Sequence, residues 1–370
     1  MIRPRFIVPF LALSILLAQP VPFAHAQAYT PKENEFASAI ILSPRNGKIF
    51  YSFKPDKVHP AASLTKLVQA LTMLDRNPNW NKTVSIANAD EVGGGRLRVN
   101  VGTKLPLRDL WYASLVSSAN NAANSMTRNS GLGTSAFIAA MNAKAKNLKS
   151  TSSKFVDSSG ISPKNVTTAS DMAKIAAAAF AEPLIVDASQ RYNYTYKIPS
   201  TGEERVIKST NLPFLLDDDV WLIGAKTGYL PEAKYNLAAQ LRPVDANGKP
   251  DKQKEVLVIV LGAQSTSASF ESAKRMAEWA WSDPARFTAI DRPYMSYGMT
   301  STHVSWAQKL LAQDKTVYPD GRVTGFFGPL TREAVRKFQL KHGIAKNGDS
   351  GYGVIGPATL AKLQELELAD

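Results

Sequence analysis

The residues able to form a sheet are concentrated at the two ends of a long segment whose middle has helical periodicity. Residues 38–53, SAIILSPRNGKIFYSF, hold two short apolar runs joined by Arg45-Asn46-Gly47, a strong hairpin signal. Strand character returns late, at 221–225, 235–242 and 255–262, with Asn247-Gly248 marking a turn between the last two. Between these ends, apolar residues recur at helical spacing over 64–74, 107–124, 134–146 and 170–180, and 269–281 reads as an amphipathic helix. One sheet must then be closed by distant segments. The expected architecture is α/β, an antiparallel sheet flanked by helices with an inserted helical region.

At 370 residues the chain exceeds a single core, so a large unit and a small one are expected. Around 283–302 the pattern lapses into Pro, Tyr, Ser, Gly and Met. Beyond it a weak repeat appears: Gly325-Phe326-Phe327-Gly328-Pro329-Leu330-Thr331 and Gly353-Val354-Ile355-Gly356-Pro357-Ala358-Thr359 each lead into a helix. Proline at the first helical position loses no hydrogen bond and has φ preset. The division is 1–26, 27–287, a linker at 288–302, and 303–370.

Residues 1–26 read as an export signal. Arg3 and Arg5 give a positive start, 6–18 is apolar but too short to span a bilayer, and Ala24-His25-Ala26 offers a small-x-small cleavage site. The expected location is extracytoplasmic, in the periplasm or cell wall. Export would permit disulfides, yet the chain has no cysteine, which leaves stability to core burial and excludes a thiol nucleophile or thiolate metal site. His25, His59, His303 and His342 are the only imidazoles. The formal charge of +13 favours anionic surroundings. For an exported chain these are cell-wall polymers and lipid head groups rather than nucleic acid. No metal or cofactor is expected.

Ser63-Leu64-Thr65-Lys66 is the sole Ser-x-x-Lys, and it opens a periodic helix just after Pro60. Three residues is about one helical turn, so Ser63 and Lys66 share a face and the amine can reach the hydroxyl. A hydroxyl is a poor nucleophile until a base takes its proton, and Lys66 can serve only if desolvation or a nearby cation lowers its pKa. Lys226-Thr227-Gly228 offers that cation at the end of a strand run, with a glycine that allows close backbone approach. Ser118-Ala119-Asn120 supplies a hydroxyl for proton relay and an amide to hold a carbonyl. Ser209-Thr210-Asn211 has the same form but precedes the Lys226 strand too closely. A lone Ser-x-x-Lys is weak, since solvated helices that begin with an N-cap serine produce it by chance. Three elements in this order are far more specific.

On these residues the segment from 29 to about 285 resembles the low-molecular-weight penicillin-binding proteins of the serine-type D-Ala-D-Ala carboxypeptidase family. Stretches beyond the boxes also match: Pro60-Ala61-Ala62 before Ser63, Asn121-Ala122-Ala123 after Asn120, Asp157-Ser158-Ser159-Gly160-Ile161, and Thr168-Ala169-Ser170-Asp171. The resemblance implies a β-lactamase/transpeptidase-like fold and a Ser63 acyl-enzyme that removes the terminal D-alanine of peptidoglycan stem peptides ending in D-Ala-D-Ala, inhibited by β-lactam antibiotics. It implies Lys66 as base and Ser118 as proton relay. Asn120 would position substrate, Lys226 and Thr227 would bind the terminal carboxylate, and the amides of Ser63 and Tyr229, beside Gly228, would form the oxyanion hole. Two departures stand out: Asn121 where the family often has Asp, and Tyr235-Asn236 where small residues are commoner.

Residues 303–368 resemble a small three-helix peptidoglycan-binding domain. The resemblance is carried by Val304 to Leu311, Phe327 to Val335, Phe338-Gln339 and Val354 to Leu360. Trp306, Phe327 and Phe338 are expected in its core, since a unit this small needs its aromatics inside. Three other readings stay open: an endopeptidase cutting D-Ala crosslinks, a class A-like β-lactamase, and a non-catalytic wall-binding scaffold. Against the second, Ala119 fills the middle of the second box, and Glu182-Pro183 reads as a helix end. Against the third, all three boxes are intact.

Overall fold

The computed structural model describes residues 28–287 and 295–369, apart from Glu33, Asn46 and Ser350. The export signal read at 1–26 lies outside the described residues, as do positions 288–294. Among the described residues no helix is long and apolar enough to cross a membrane.

The first unit begins with β1 (Ser38–Leu42), β2 (Ile49–Phe53), β3 (His59–Pro60) and α1 (Thr65–Leu74). The inserted region follows as β4 (Thr83–Ser85), β5 (Lys104–Pro106), α2 (Leu107–Val116), α3 (Asn120–Arg128), α4 (Thr134–Asn147) and β6 (Val166–Thr167). It continues through α5 (Ala169–Ala179), α6 (Pro183–Ser189), β7 (Asn193–Lys197), β8 (Glu204–Lys208) and α7 (Leu212–Leu215). The chain then returns to the sheet with β9 (Val220–Leu230), β10 (Lys234–Pro243) and β11 (Val256–Ala263), and closes on α8 (Thr266–Trp281).

The main sheet has the order β2-β1-β11-β10-β9, antiparallel throughout. Its N-terminal hairpin therefore docks on the last strand, as the end-loaded strand pattern requires. Strand β11 reads VLVIVLGA without polar alternation because both its faces are covered. Leu257, Ile259 and Leu261 join Leu67, Val68 and Leu71 of α1 and Met172 and Ile175 of α5 in one core. Val256, Val258 and Val260 meet Phe270, Ala273, Met276 and Ala277 of α8 in a second. Strand β9 is left as an edge.

The helical stretch expected at 107–124 is two helices. Asn120 N–H would continue the ladder by donating to Val116 O, but it donates to Gly95 O at 2.6 Å while Val116 O accepts from Thr210 N–H at 2.9 Å. Ser118 takes φ +61° in the break. Competing tertiary hydrogen bonds override an unbroken apolar periodicity, and they lift Ser118 out of the helix. Glu182-Pro183 begins α6, with proline in its first turn, rather than ending a helix.

The second unit holds α9 (Thr302–Gln313), α10 (Pro329–Lys341) and α11 (Pro357–Ala369). Phe327 and Phe338 are buried in its core and Trp306 packs against it half-buried. Packing starts inside the stretch read as linker: Met295 is fully buried and pairs with Ile355, and Thr300 pairs with Phe326. The Gly-Pro-x-Thr repeat has a shared scaffold. Gln308 donates to Phe326 O and Thr331 Oγ1 and accepts from Gly325 N–H, at 2.8–2.9 Å. Gln339 makes the equivalent bonds to Val354 O, Thr359 Oγ1 and Gly353 N–H, at 2.8 Å each. Each helix thus fixes, through one buried amide, the loop that starts the next.

Candidate active site

The nucleophile candidate sits in a strained turn. Ser63 is the middle of a one-turn 3-10 helix, Ala62–Leu64, that precedes α1, and Ala62 before it has φ +49°, a conformation costly for a residue with a Cβ. The surroundings enforce it. Ala61 N–H donates to Asn165 O at 2.7 Å. Asn236 donates to Pro60 O and Ala61 O and accepts from Gly262 N–H. His59 meets Ala233 O at 2.8 Å. Two glycines let neighbouring backbone close on the turn: a Cβ at Gly160 would lie 2.0 Å from Ala62 O, and one at Gly228 3.1 Å from Ser63 N. The departure at Asn236 is therefore structural, a clamp between β10 and the Ser63 turn.

Lys66, one turn into α1, is completely buried. Its Nζ lies 2.9 Å from Ser63 Oγ, 2.7 Å from Asn120 Oδ1 and 2.6 Å from Ser159 O. A neutral amine has two hydrogens and one lone pair. The hydrogens suit the two carbonyl acceptors, and the lone pair is left to accept from the Ser63 hydroxyl. Burial holds the Lys66 pKa well below the ordinary lysine value, the charge of Lys226 pushes the same way, and Asp157 opposes both.

Lys226, in β9, is also buried, and its Nζ contacts Ser118 Oγ at 2.9 Å and Thr227 O at 3.0 Å. Burial pushes its pKa down to about 7. Lys66 and Lys226 both stand behind the cleft. Ser63, Ser118, Asn120, Thr227, Gly228 and Tyr229 line its open face, in a cavity of about 540 Å³. All eight residues singled out from the sequence thus converge on one place. Asn120 is more engaged than expected, since its Nδ2 already donates to Gly93 O at 2.8 Å.

Four further residues contribute, and sequence reasoning named them without finding what they do. Asp157 accepts from the N–H groups of Ser159, Gly160, Ile161 and Ser162, shaping the loop that presents Ser159 O to Lys66. An Asp followed by Ser-Ser-Gly is a turn signal, but nothing local says what the turn holds. Asn121 donates to Glu91 Oε1 and Leu97 O and accepts from Leu97 N–H, pinning the loop at 91–97 that walls the cleft. An aspartate there could make neither donation. Thr210 lines the cleft with a buried, unpartnered hydroxyl, while Asn211 braces Ser189 O and Ala225 O beneath β9.

Residues 25–265 match the family model for D-alanyl-D-alanine carboxypeptidases, and residues 300–363 match that of a putative peptidoglycan binding domain. A D-alanyl-D-alanine endopeptidase of Escherichia coli is 35% identical over 75% of this chain and 89% of its own length. Another D-alanyl-D-alanine endopeptidase, from Pseudomonas aeruginosa, is 32% identical over 78% of this chain and 90% of its own. In structure the chain is similar to the Streptomyces K15 DD-transpeptidase, with a TM-score of 0.61 and 26% identity, over 69% of this chain and 100% of that one.

Proposed function

The chain belongs to the D-alanyl-D-alanine carboxypeptidase family, with a C-terminal peptidoglycan-binding domain, and is a serine DD-peptidase; from that premise we propose that it opens D-alanyl crosslinks of peptidoglycan through a Ser63 acyl-enzyme. The observation that carries the chemistry is the buried Lys66 amine at 2.9 Å from Ser63 Oγ. Ser63 Oγ attacks the D-alanyl carbonyl carbon as its proton passes to Lys66 Nζ. The oxyanion is held by the Ser63 and Tyr229 N–H groups. Ser118 delivers a proton to the departing nitrogen, with Lys226 behind it as the source of field and proton. Thr227 contacts the carboxylate on the departing side and Asn120 the substrate backbone. Water then hydrolyses the ester. The mechanism uses Lys66 as the neutral base and Lys226 as the cation behind Ser118; burial lowers the pKa of both amines, and the charge of Lys226 adds to the lowering at Lys66.

The leaving group distinguishes two readings. The relatives reported above are named endopeptidases, which favours the amine of a crosslinked neighbouring stem peptide over free D-alanine. The carboxypeptidase reading rests on the description of the family. Mass spectrometry of products from a defined crosslinked dimer and a D-Ala-D-Ala monomer decides between them. A split dimer with an intact monomer supports the endopeptidase; loss of one alanine from the monomer with an intact dimer overturns it. Peptidoglycan places the reaction outside the cytoplasmic membrane, with the C-terminal domain tethering the enzyme to the wall. A labelled β-lactam should acylate wild type but not Ser63→Ala, and persistent labelling of the variant would reject Ser63 as nucleophile.

A further inference from the structure

A second cavity, of about 630 Å³, adjoins the catalytic cleft and shares Gly94, Gly95 and Ser117 with it. Four cationic side chains line it, Arg96, Arg98, Arg205 and Lys208, and no acidic residue is among its lining residues. Two of the four have counter-charges at its margin, Arg96 with Glu91 and Arg205 with Glu203. Arg205 also donates to Arg98 O, bracing the loop at 91–98 against β8. Arg98 and Lys208 have no acidic partner among the described residues. Both line the cavity that adjoins the cleft: Arg98 follows the shared Gly94-Gly95 wall in sequence, and Lys208 stands two residues before Thr210, which lines the cleft.

Resting on the DD-peptidase reading, we propose that this cavity is an anion subsite in which Arg98 and Lys208 receive a free carboxylate of the stem peptide, away from the scissile bond, with Arg205 as a positioning residue. A stem containing a γ-linked glutamate carries such a carboxylate. Amidation of that group would remove the charge and leave the shape nearly unchanged. The subsite would make the enzyme a reader of stem-peptide amidation. Both cations are solvent-exposed, so the preference is moderate and is screened by salt.

The test uses the full chain and two synthetic crosslinked peptides that differ only in whether this glutamate is a free acid or an amide. Wild type is expected to show a kcat/KM about fivefold higher on the acid, shrinking toward parity as ionic strength rises. Arg98→Ala/Lys208→Ala should lose that preference through KM on the acid alone, with unchanged turnover of the amide and unchanged acylation by benzylpenicillin. Arg98→Lys/Lys208→Arg should restore it. Equal wild-type rates on acid and amide, or a double variant impaired equally on both peptides and with penicillin, would overturn the subsite while leaving the DD-peptidase reading intact. A wild type that cleaves neither peptide and takes up no penicillin would reject that reading itself, and the subsite with it.

Discussion

The two units bury polar side chains for opposite ends. In the C-terminal unit Gln308 and Gln339 are buried with donors and acceptors matched, and each amide holds the loop that starts the next helix. In the catalytic unit Lys66 and Lys226 are buried with no carboxylate in contact among the described residues, so burial lowers their pKa instead of being offset by an ion pair. A satisfied neutral amide adds stability and fixes a loop. An amine kept from its charge costs stability and gains reactivity. Buried polarity alone therefore does not mark a functional site; buried polarity whose preferred protonation state has been changed does.

Substitutions can break this contrast. The largest effect is expected from Lys66→Arg, which keeps a cation but cannot accept a proton: acylation by a labelled β-lactam should fall on the order of 10³-fold with the fold retained. Near-wild-type acylation would remove Lys66 as base. Gly160→Ala puts a methyl where Ala62 O stands, at a residue with φ +85°. Acylation should drop about 10²-fold by misplacing Ser63, while binding of the C-terminal unit to sacculi stays unchanged. Wild-type acylation kinetics would show that the turn does not position the nucleophile.

Gln339→Leu tests the other side. It leaves Gly353 N–H, Val354 O and Thr359 Oγ1 without their partner, and should cost the C-terminal unit about 3 kcal/mol and weaken sacculus binding while acylation is untouched. Lys226→Met sharpens the comparison. Its folded pKa, about 7, lies below the unfolded value, 10.5. The unfolded chain therefore binds more protons between those values, stability rises with pH across that window, and the cost is fully present below about 7. The variant should be more stable than wild type at pH 6, by on the order of 2 kcal/mol, with the gain shrinking by pH 10 and activity lost throughout. Equal thermal midpoints at pH 6 would show that the buried amine carries no such cost.

Much of this was legible in sequence because the signals were local or ordered. The end-loaded strand runs give the sheet, and three spaced boxes give seven of the eight site residues, with Tyr229 implied by the family resemblance. What escaped was set by partners distant in the chain. The break at Ser118 depends on Thr210 and Gly95 taking the hydrogen-bonding groups of Val116 and Asn120. Asp157 and Asn121 act by gathering backbone N–H and C=O groups that no periodicity reveals. In the C-terminal unit Gly-Pro-x-Thr was visible as a repeat, but Gln308 and Gln339 lie 23 and 20 residues before the threonines they bind, so the shared scaffold appears only in three dimensions.

The central claim is that Lys66 is neutral when Ser63 attacks, and the pH dependence of the second-order rate of acylation by benzylpenicillin tests it most directly. That rate reports the ionisations of the free enzyme. The expected profile has an acidic limb set by deprotonation of Lys66, far below the ordinary lysine range, and a basic limb from loss of the Lys226 proton near 7. Lys226→Arg should move the basic limb out of range and leave the acidic limb in place. A wild-type rate that stays low through neutrality and rises only as pH approaches about 10.4, the value of an unperturbed lysine, would contradict the account.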